Sequence, residues 1–259
     1  MIHIVCCIEK SGGVNYIQRL LADTPDIKYQ LTTQIPEKGF YLTIDKQGLL
    51  ELCLKGSTLT LNINYLSLSM RRRIDNKTKK IDLIRAVQGR SKSLVKILDM
   101  TAGLGQDSLT LAAQGYHVTA IEKNPYIFIM FKQQLLRAKY IGLDSVSDNV
   151  KLYFGDSSKI DIPKKIFDVI YLDPMFPVCN KNTKPKKAMQ LLQMLISYNP
   201  IKDSLLLRNA KLLHCKKIIV KRHRIGCYLA NQKPTSQIVS KSIRFDIYAT
   251  QHNNLLYKT

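Results

Sequence analysis

Acidic residues are scarce in this 259-residue sequence, which has 19 Asp and Glu against 40 Lys and Arg and a formal net charge of +21. The six cysteines include no C-x-x-C pair, and none stands with histidines at metal-ligand spacing, so we expect free thiols and no metal site. No window reaches about 18 apolar residues, which excludes a membrane-spanning helix. The G-x-x-x-x-G-K-[ST] string of P-loop nucleotide hydrolases is also absent. We therefore expect a cytoplasmic protein that needs neither a metal nor a membrane.

Positive charge in such excess indicates a polyphosphate partner, and nucleic acid is a common one. A proteome rich in lysine would raise the charge without any functional cause, so composition leaves both explanations open. With 45% hydrophobic and 23% charged residues, the chain is globular rather than disordered. The densest local charge lies in Arg71, Arg72 and Arg73 and in residues 77–80, which either form a solvated face or contact phosphates.

The pattern along the chain predicts three parts. Residues 1–66 contain short apolar runs separated by glycines, which predicts a small β-rich domain. Residues 67–94 are basic and lead into an apolar pattern at helical spacing, which predicts a helical connector that ends near Gly89. We expect residues 95–259 to form the main domain.

The main domain alternates apolar strands with helices. Its short apolar runs are rich in Val and Ile, and longer helical stretches separate them. Such strands are typical of a parallel sheet that helices cover on both faces. The last two runs lie only a few residues apart, so we predict that they pair as an antiparallel hairpin at the end of the sheet. The fold class is therefore α/β, with a mostly parallel, Rossmann-like sheet and a small β-rich domain before it.

The strongest local signal is a glycine-rich turn in the string Asp-Met-Thr-Ala-Gly-Leu-Gly-Gln-Asp, from Asp99 to Asp107. Glycines let the backbone turn sharply and approach a ligand, and the helix that follows presents free N–H groups. Read as G-x-G-x-x-G, the third position is Ser108, which weakens a nicotinamide-dinucleotide interpretation. Read as an acid followed by x-x-x-G-x-G, the match is complete at Asp99, Gly103 and Gly105, and a carboxylate there can attract the ammonium of a methionine moiety. This form resembles motif I of class I S-adenosylmethionine-dependent methyltransferases.

Acidic and short polar residues follow the next two predicted strands. Glu122 stands 19 residues after Gly103, close to the roughly 20-residue spacing at which an acid accepts both ribose hydroxyls of a nucleoside. A solvated carboxylate at a strand end is the alternative for this residue. The string from Gly155 to Ser158 ends the third strand, and we predict that Ser157 and Ser158 hydrogen-bond an adenine edge.

The fourth predicted strand ends in Leu-Asp-Pro-Met-Phe-Pro, residues 172–177. This order resembles the Asp-Pro-Pro-Tyr type of motif in amino methyltransferases, with Met175 in place of the second proline. An exocyclic amine on a nucleobase is a poor nucleophile because its lone pair is delocalised, so a carboxylate and a backbone carbonyl must accept its hydrogens. We predict that Asp173 and Pro174 perform this catalytic task and that Phe176 stacks on a base drawn out of its helix. A strand-ending turn with a buried Phe is the alternative.

Two C-terminal strings, Ile-Val-Lys-Arg at 219–222 and Arg-Phe-Asp-Ile-Tyr at 244–248, complete the pattern. Over residues 69–250 the chain resembles the small-subunit (16S) ribosomal RNA guanine-N2 methyltransferase J family. The resemblance implies a class I methyltransferase fold and transfer of a methyl group from S-adenosyl-L-methionine to N2 of one guanine in 16S rRNA, with ribosomal RNA or the small ribosomal subunit as partner. The predicted cofactor-binding positions are Asp99, Gly103, Gln106, Asp107, Glu122, Lys123, Ser157, Ser158 and Asp173. Gln106 and Lys123 stand where the family has arginine.

Two other functions stay open at this point. One is a non-catalytic, basic RNA-binding protein, and the other is an amino methyltransferase that acts on a different nucleic acid. A basic segment just before a methyltransferase core favours phosphate contacts for Arg71, Arg72 and Arg73. Lys221 and Arg222 end a strand on the same side, and we favour RNA or substrate contacts for both over structural roles. The sequence leaves the oligomeric state open.

Overall fold

The computed structural model describes residues 1–5, 11–45, 47–64, 67–75, 81–89, 95–174, 187–196 and 200–250. The N-terminal part forms β1 (Ile2–Val5), α1 (Ser11–Leu21), β2 (Tyr29–Thr32), β3 (Phe40–Ile44), β4 (Leu50–Leu54), β5 (Thr60–Asn62), α2 (Leu68–Asp75) and α3 (Asp82–Gln88). The remainder forms β6 (Lys96–Asp99), α4 (Gln106–Ala112), β7 (His117–Glu122), α5 (Pro125–Tyr140), α6 (Asp144–Asp148), β8 (Val150–Phe154), β9 (Val169–Leu172), α7 (Lys187–Leu195), α8 (Pro200–Leu212), β10 (Lys217–His223), β11 (Ser236–Val239) and β12 (Ile243–Ala249).

The first sheet has the strand order β2-β1-β3-β4-β5. Strands β3, β4 and β5 form an antiparallel meander, as their close spacing along the chain predicts. Strand β1 runs parallel to β2 and to β3, and two parallel neighbours need a crossover connection, which α1 supplies between β1 and β2. This helix was not predicted, although Ile17, Leu20 and Leu21 are buried at helical spacing.

The second sheet has the strand order β11-β12-β10-β9-β6-β7-β8. Its five strands from β10 to β8 are parallel, while β12 runs antiparallel to both β10 and β11. The prediction of a mostly parallel sheet with a C-terminal antiparallel hairpin is therefore confirmed. Helices cover both faces, so every residue of β9 is buried: Val169 and Tyr171 pack into one core, and Ile170 and Leu172 into the other.

Chain order reverses at β6, the central strand of this sheet. From β6 the chain builds outward through β7 and β8 on one side, and β9 and β10 then occupy the other side. An open parallel sheet with such a reversal has a crevice at the carboxyl ends of the strands next to the reversal. The ends of β6 and β9 therefore mark the expected place of the ligand.

Helix α5 joins the two sheets. Its Gln133 side chain is fully buried, with Oε1 accepting from the Leu50 N–H at 2.8 Å and Nε2 donating to the Gly48 carbonyl at 3.0 Å. The Tyr126 hydroxyl donates to the Phe40 carbonyl at 2.8 Å. The first sheet ends at Asn62 and α2 begins at Leu68, while the domain boundaries at 66/67 and 94/95 stay a prediction. Within the described ranges, no helix is both long and apolar enough to cross a membrane.

Candidate active site

The glycine turn links β6 to α4 and lies against α5. Gly105 precedes the helix with φ of +77°, a left-handed conformation that costs glycine little. A Cβ at this position would overlap the ring of Phe131 on α5. The backbone therefore approaches the helix more closely than any other residue would allow, which is why the turn requires glycine here.

Asp99 ends β6 and is only 1% exposed. Its Oδ1 accepts from the Thr101 N–H at 3.1 Å and its Oδ2 from the Ser108 hydroxyl at 2.6 Å, so the carboxylate holds both ends of the turn. Burial raises the pKa of Asp99 to about 7 against these two hydrogen bonds. Asp99 lines the cavity described below and also organises its wall.

Glu122 ends β7 and faces the same turn. Its Oε2 accepts from the Gly103 N–H at 2.8 Å and its Oε1 from the Asn124 N–H at 2.7 Å. Burial raises the pKa of Glu122, while these backbone donors act in the other direction. A carboxylate offers about four acceptor positions, so Glu122 retains capacity for two further donors such as ribose hydroxyls. The neighbouring Lys123 is exposed and lines the cavity.

The segment after β8 contributes the third polar edge. The Ser157 hydroxyl is buried and donates to the Met100 carbonyl at 2.8 Å, so it ties this segment to β6. Ser158 is exposed and donates from its N–H and its hydroxyl to Asp156 Oδ1 at 3.0 and 2.7 Å. Asp156 lines the cavity, and sequence reasoning did not single it out although it precedes the two predicted serines.

A cluster of charges joins the glycine turn to the end of β9. Lys221 Nζ lies 2.6 Å from Asp107 Oδ2 and 2.8 Å from Asp173 Oδ2. The Tyr171 hydroxyl donates to the same Asp107 oxygen at 2.7 Å, and Arg73 Nη1 of α2 lies 3.4 Å from its other oxygen. Two carboxylates thus share one partly buried ammonium, which sequence spacing alone did not reveal.

The two carboxyl groups respond differently to this shared cation. Burial acts to raise the pKa of Asp107, but Lys221 and the Tyr171 hydroxyl outweigh it and hold that pKa below its usual value. Burial raises the pKa of Asp173, and Lys221 opposes this only in part. The negative charge is therefore more secure on Asp107, which has two donors on one oxygen, than on Asp173.

Asp173 and Pro174 follow β9 directly, where the sequence predicted a catalytic corner. The Asp173 N–H donates to Thr101 Oγ1 at 2.6 Å, which fixes this corner against the glycine turn. The Asp173 side chain is 32% exposed, toward the cavity. Phe176 lies outside the described residues, so its stacking role stays a prediction.

Arg222, unlike Lys221, points away from this site. It is buried, and its Nε donates to the Cys227 carbonyl at 2.8 Å, which stabilises the turn after β10. The prediction of an RNA or substrate contact for Arg222 is therefore wrong. Alternate residues of a strand point to opposite faces, so Lys221 and Arg222 take different roles.

The glycine turn, the ends of β7 and β9 and the segment after β8 surround one cavity of about 910 Å³. Every described residue of the predicted site lines it: Asp99, Gly103, Gln106, Asp107, Glu122, Lys123, Ser157, Ser158, Asp173 and Pro174. A second half of the lining comes from β5 and from helices α7 and α8, with Asn62, Met189 and Leu205 among its residues. No group of three His, Cys, Asp or Glu side chains suited to a metal ion occurs in the part of the chain that the structure describes.

Comparisons with known proteins identify the family. Residues 26–250 match the family model described as "Putative SAM-dependent methyltransferase". The chain is 38% identical over 227 residues to the ribosomal RNA small subunit methyltransferase J of Francisella philomiragia, a match covering 86% of this chain and 92% of that one. It is 36% identical over 238 residues to the protein of the same name in Francisella tularensis subsp. novicida, covering 91% and 95% of the two chains.

A solved structure supports the fold. The SAM-dependent methyltransferase of Neisseria gonorrhoeae superposes with a TM-score of 0.73 over 99% of both chains at 24% identity. Fold, family model and relatives agree on a class I methyltransferase that uses S-adenosyl-L-methionine. The chain belongs to the SAM-dependent methyltransferase family that includes the ribosomal RNA small subunit methyltransferase J proteins.

Proposed function

We propose that this enzyme transfers the methyl group of S-adenosyl-L-methionine to the exocyclic N2 of one guanosine in 16S rRNA. The observation that carries the proposal is the Asp173–Pro174 corner, which lies on the cavity wall beside the glycine turn. The names of the relatives at 36–38% identity support ribosomal RNA of the small subunit as the substrate. We also propose a cytoplasmic location, where ribosomal subunits are available.

The donor set of the cavity fits the cofactor. Glu122 would accept the ribose hydroxyls, and Asp156 with Ser158 would bind the adenine edge. The carboxylates at the ends of β6 and β9 and at the start of α4 give the methionine end a negative environment, which suits a ligand with a sulfonium and an ammonium. Gln106 and Lys123 line the same half and would contribute hydrogen bonds. When bound, S-adenosyl-L-methionine supplies an electrophilic methyl group.

Asp173 would act on the acceptor by position. Its Oδ1, which has no side-chain partner among the described residues, would accept one hydrogen of the target amine, and this would turn the nitrogen lone pair toward the cofactor half of the cavity. No strong base is needed, because the amine becomes acidic only as the new bond forms. The proline ring of Pro174 restricts the backbone whose carbonyl would accept the second hydrogen.

The second half of the cavity suits a planar base. Met189 and Leu205 are 42% and 43% exposed although they line a cavity, and such apolar surface can stack on a base taken out of its helix. Leu61 and Ile63 are buried, so the alternating side chains of Asn62 and Asn64, which line the cavity, face the other way. The carboxamide of either asparagine can donate to guanine O6 and accept from its N1–H.

The basic helix α2 would bind the RNA backbone near this opening. Arg71, Arg72 and Arg73 are exposed, and Arg73 also lines the cavity. Phosphate contacts position an RNA without reading its sequence. Residues 77–80, the other basic run, lie outside the described residues.

The test is methylation of RNA from a strain that lacks this gene. Purified enzyme is incubated with labelled cofactor and either naked 16S rRNA or small subunits, and nucleoside mass analysis identifies the product. We expect one N2-methylguanosine, and a roughly 10²-fold loss of kcat in Asp173→Asn, comparable to misplacing a reacting group.

Asp168→Asn serves as the matched control, because Asp168 lies just before β9 and pairs with Lys216 away from the cavity. It should keep wild-type kcat, and cofactor affinity is measured for both variants. A methyl group on a different base, or cofactor binding without methylation of either RNA form, would contradict the proposal.

A further inference from the structure

We infer that Lys221 is a positioning residue, which holds the Asp173 carboxylate in the orientation that receives the acceptor amine. This inference rests on the proposed function of Asp173. It goes beyond that function because Lys221 touches neither reacting group in this scheme. Its ammonium is committed to two carboxylates at 2.6 and 2.8 Å, so phosphate binding is not its first role.

Strand pairing explains why Lys221 reaches this place. β10 runs parallel to β9 with Val220 beside Leu172, and the next residues along each strand are Lys221 and Asp173. A lysine one step past the last paired residue therefore lies beside the carboxylate at the end of the neighbouring strand. The lysine side chain is 23% exposed, so most of its length is packed.

The two carboxylates that bind Lys221 have different support. Asp107 is held independently, because Tyr171 donates to the same oxygen and Arg73 lies near the other. For Asp173, Lys221 is the one side chain within the described ranges that contacts the carboxylate, and it does so at Oδ2. Asp107 thus fixes the Lys221 ammonium, and Lys221 in turn fixes Asp173 Oδ2. Asp173 Oδ1 has no side-chain partner within the described ranges and remains available to the substrate.

Charge supports the same assignment. Burial and Asp107 raise the pKa of Asp173, whereas Lys221 and then Arg222 lower it, so removal of Lys221 would leave Asp173 protonated at higher pH. A protonated Asp173 offers a donor where the amine needs an acceptor. Among the described residues, the charged or titratable groups that act on the Asp173 carboxyl are Asp99, Asp107, Tyr171 and Lys221, with Arg222 acting from the opposite face of β10.

The first test needs no RNA. Carbon-13 NMR of aspartate-labelled free protein follows the Asp173 carboxyl, which is assigned by its absence in Asp173→Asn. In Lys221→Met the titration midpoint should rise by about one unit or more, the usual effect of losing an adjacent opposite charge. Lys221→Arg should restore most of the shift. Lys221→Gln replaces Lys221→Met if the latter does not fold.

Lys217→Met is the matched control. Lys217 lies at the other end of β10, where its Nζ donates to the Ala86 carbonyl at 2.7 Å, so its loss removes a half-buried lysine without touching the site. This variant should keep the wild-type Asp173 midpoint. An unchanged midpoint in folded Lys221→Met would overturn the inference.

The second test uses single-turnover methylation across pH. Lys221→Met should move the acid limb of the pH–rate profile upward. At pH values below that limb the rate should fall about tenfold for each unit of the shift, because the rate there is proportional to the ionised fraction of Asp173. KM for RNA should stay within threefold of wild type. A changed KM and salt dependence with an unmoved acid limb would assign Lys221 to RNA phosphate instead. If wild-type enzyme methylates no RNA, the proposed function fails while the NMR result still decides the role of Lys221.

Discussion

The Asp99 carboxyl group should couple both stability and cofactor affinity to pH, with opposite signs. Burial raises its pKa to about 7 in the folded protein, against hydrogen bonds from Ser108 and Thr101. In the unfolded chain the group ionises near its ordinary value, about 3.9. The folded state therefore keeps a proton that the unfolded state loses between about pH 4 and pH 7, so the free energy of unfolding falls as pH rises through that window.

The size of the stability effect follows from the shift. One unit of pKa is worth about 1.4 kcal/mol, so ionised Asp99 lowers the free energy of unfolding by no more than about 4 kcal/mol at pH 8. Asp99→Asn keeps the shape of the side chain and can still bond Thr101 and Ser108, but it carries no charge. In the free protein, we expect this variant to be more stable than wild type above pH 7, with the difference shrinking toward pH 5.

Cofactor affinity should change the other way, because a cationic ligand favours ionised Asp99. The ionised fraction rises from about 0.09 at pH 6 to about 0.9 at pH 8, so wild-type affinity should increase about tenfold between these values. Asp99→Asn should bind more weakly at pH 8 and lose this part of the pH dependence. Urea unfolding and calorimetric titration across pH 5–9 measure the two effects. Equal pH dependence of wild type and variant in both assays would refute the reasoning.

Three further predictions use other parts of the site. Glu122→Ala should weaken cofactor binding by about 1.5 to 3 kcal/mol, the range for hydrogen bonds to charged groups, and unchanged calorimetric affinity in a folded variant would remove Glu122 from the site. Gly105→Ala should lower the free energy of unfolding by about 1 to 3 kcal/mol, because the added methyl group would overlap the Phe131 ring. An unaltered urea midpoint would show that α5 shifts to accommodate the methyl group without loss of stability. Replacing Arg71, Arg72 and Arg73 together with Ala should reduce the log–log salt slope of RNA binding by up to about 0.9 per lost phosphate contact, and an identical slope would return them to a solvated face.

Local sequence predicts the positions of the residues that we assign to the cofactor. The glycine turn and the acid after the next strand need only two neighbouring elements, β6 and β7, whose pairing follows from chain order. Gly103 and Glu122 therefore meet where their spacing predicts, at a hydrogen bond of 2.8 Å. Strand ends, buried runs and the final hairpin were predictable for the same reason, since each depends on a period or a turn within a few residues.

Contacts across the sheet are less visible in the sequence. Lys221 stands 48 residues from Asp173 and 114 from Asp107, and only the register of β10 on β9 brings the three together.

The string at 244–248 shows that a sequence motif can also suggest a functional role where the structure shows a structural one. It contributes to the resemblance to the family, yet Arg244 and Asp246 pair with each other at 2.8 Å in the interior, where their side chains are 7% and 0% exposed. A distinctive string can thus belong to the architecture of a strand.

Helix α5 has a consequence for rebuilding this enzyme. Phe131 and Gln133 are two residues apart, so they project about 200° around the helix, one against the glycine turn and the other against the N-terminal sheet. A truncation that removes the N-terminal sheet would leave the buried carboxamide of Gln133 without its two backbone partners. It would also disturb α5, whose Phe131 packs against the glycine turn. If that sheet were replaced by the sheet of a relative, Gln133 and residues 48–50 would have to be exchanged together, because they hydrogen-bond each other. The smallest fragment that we expect to keep the site intact therefore includes the N-terminal sheet as well as the Rossmann-like sheet.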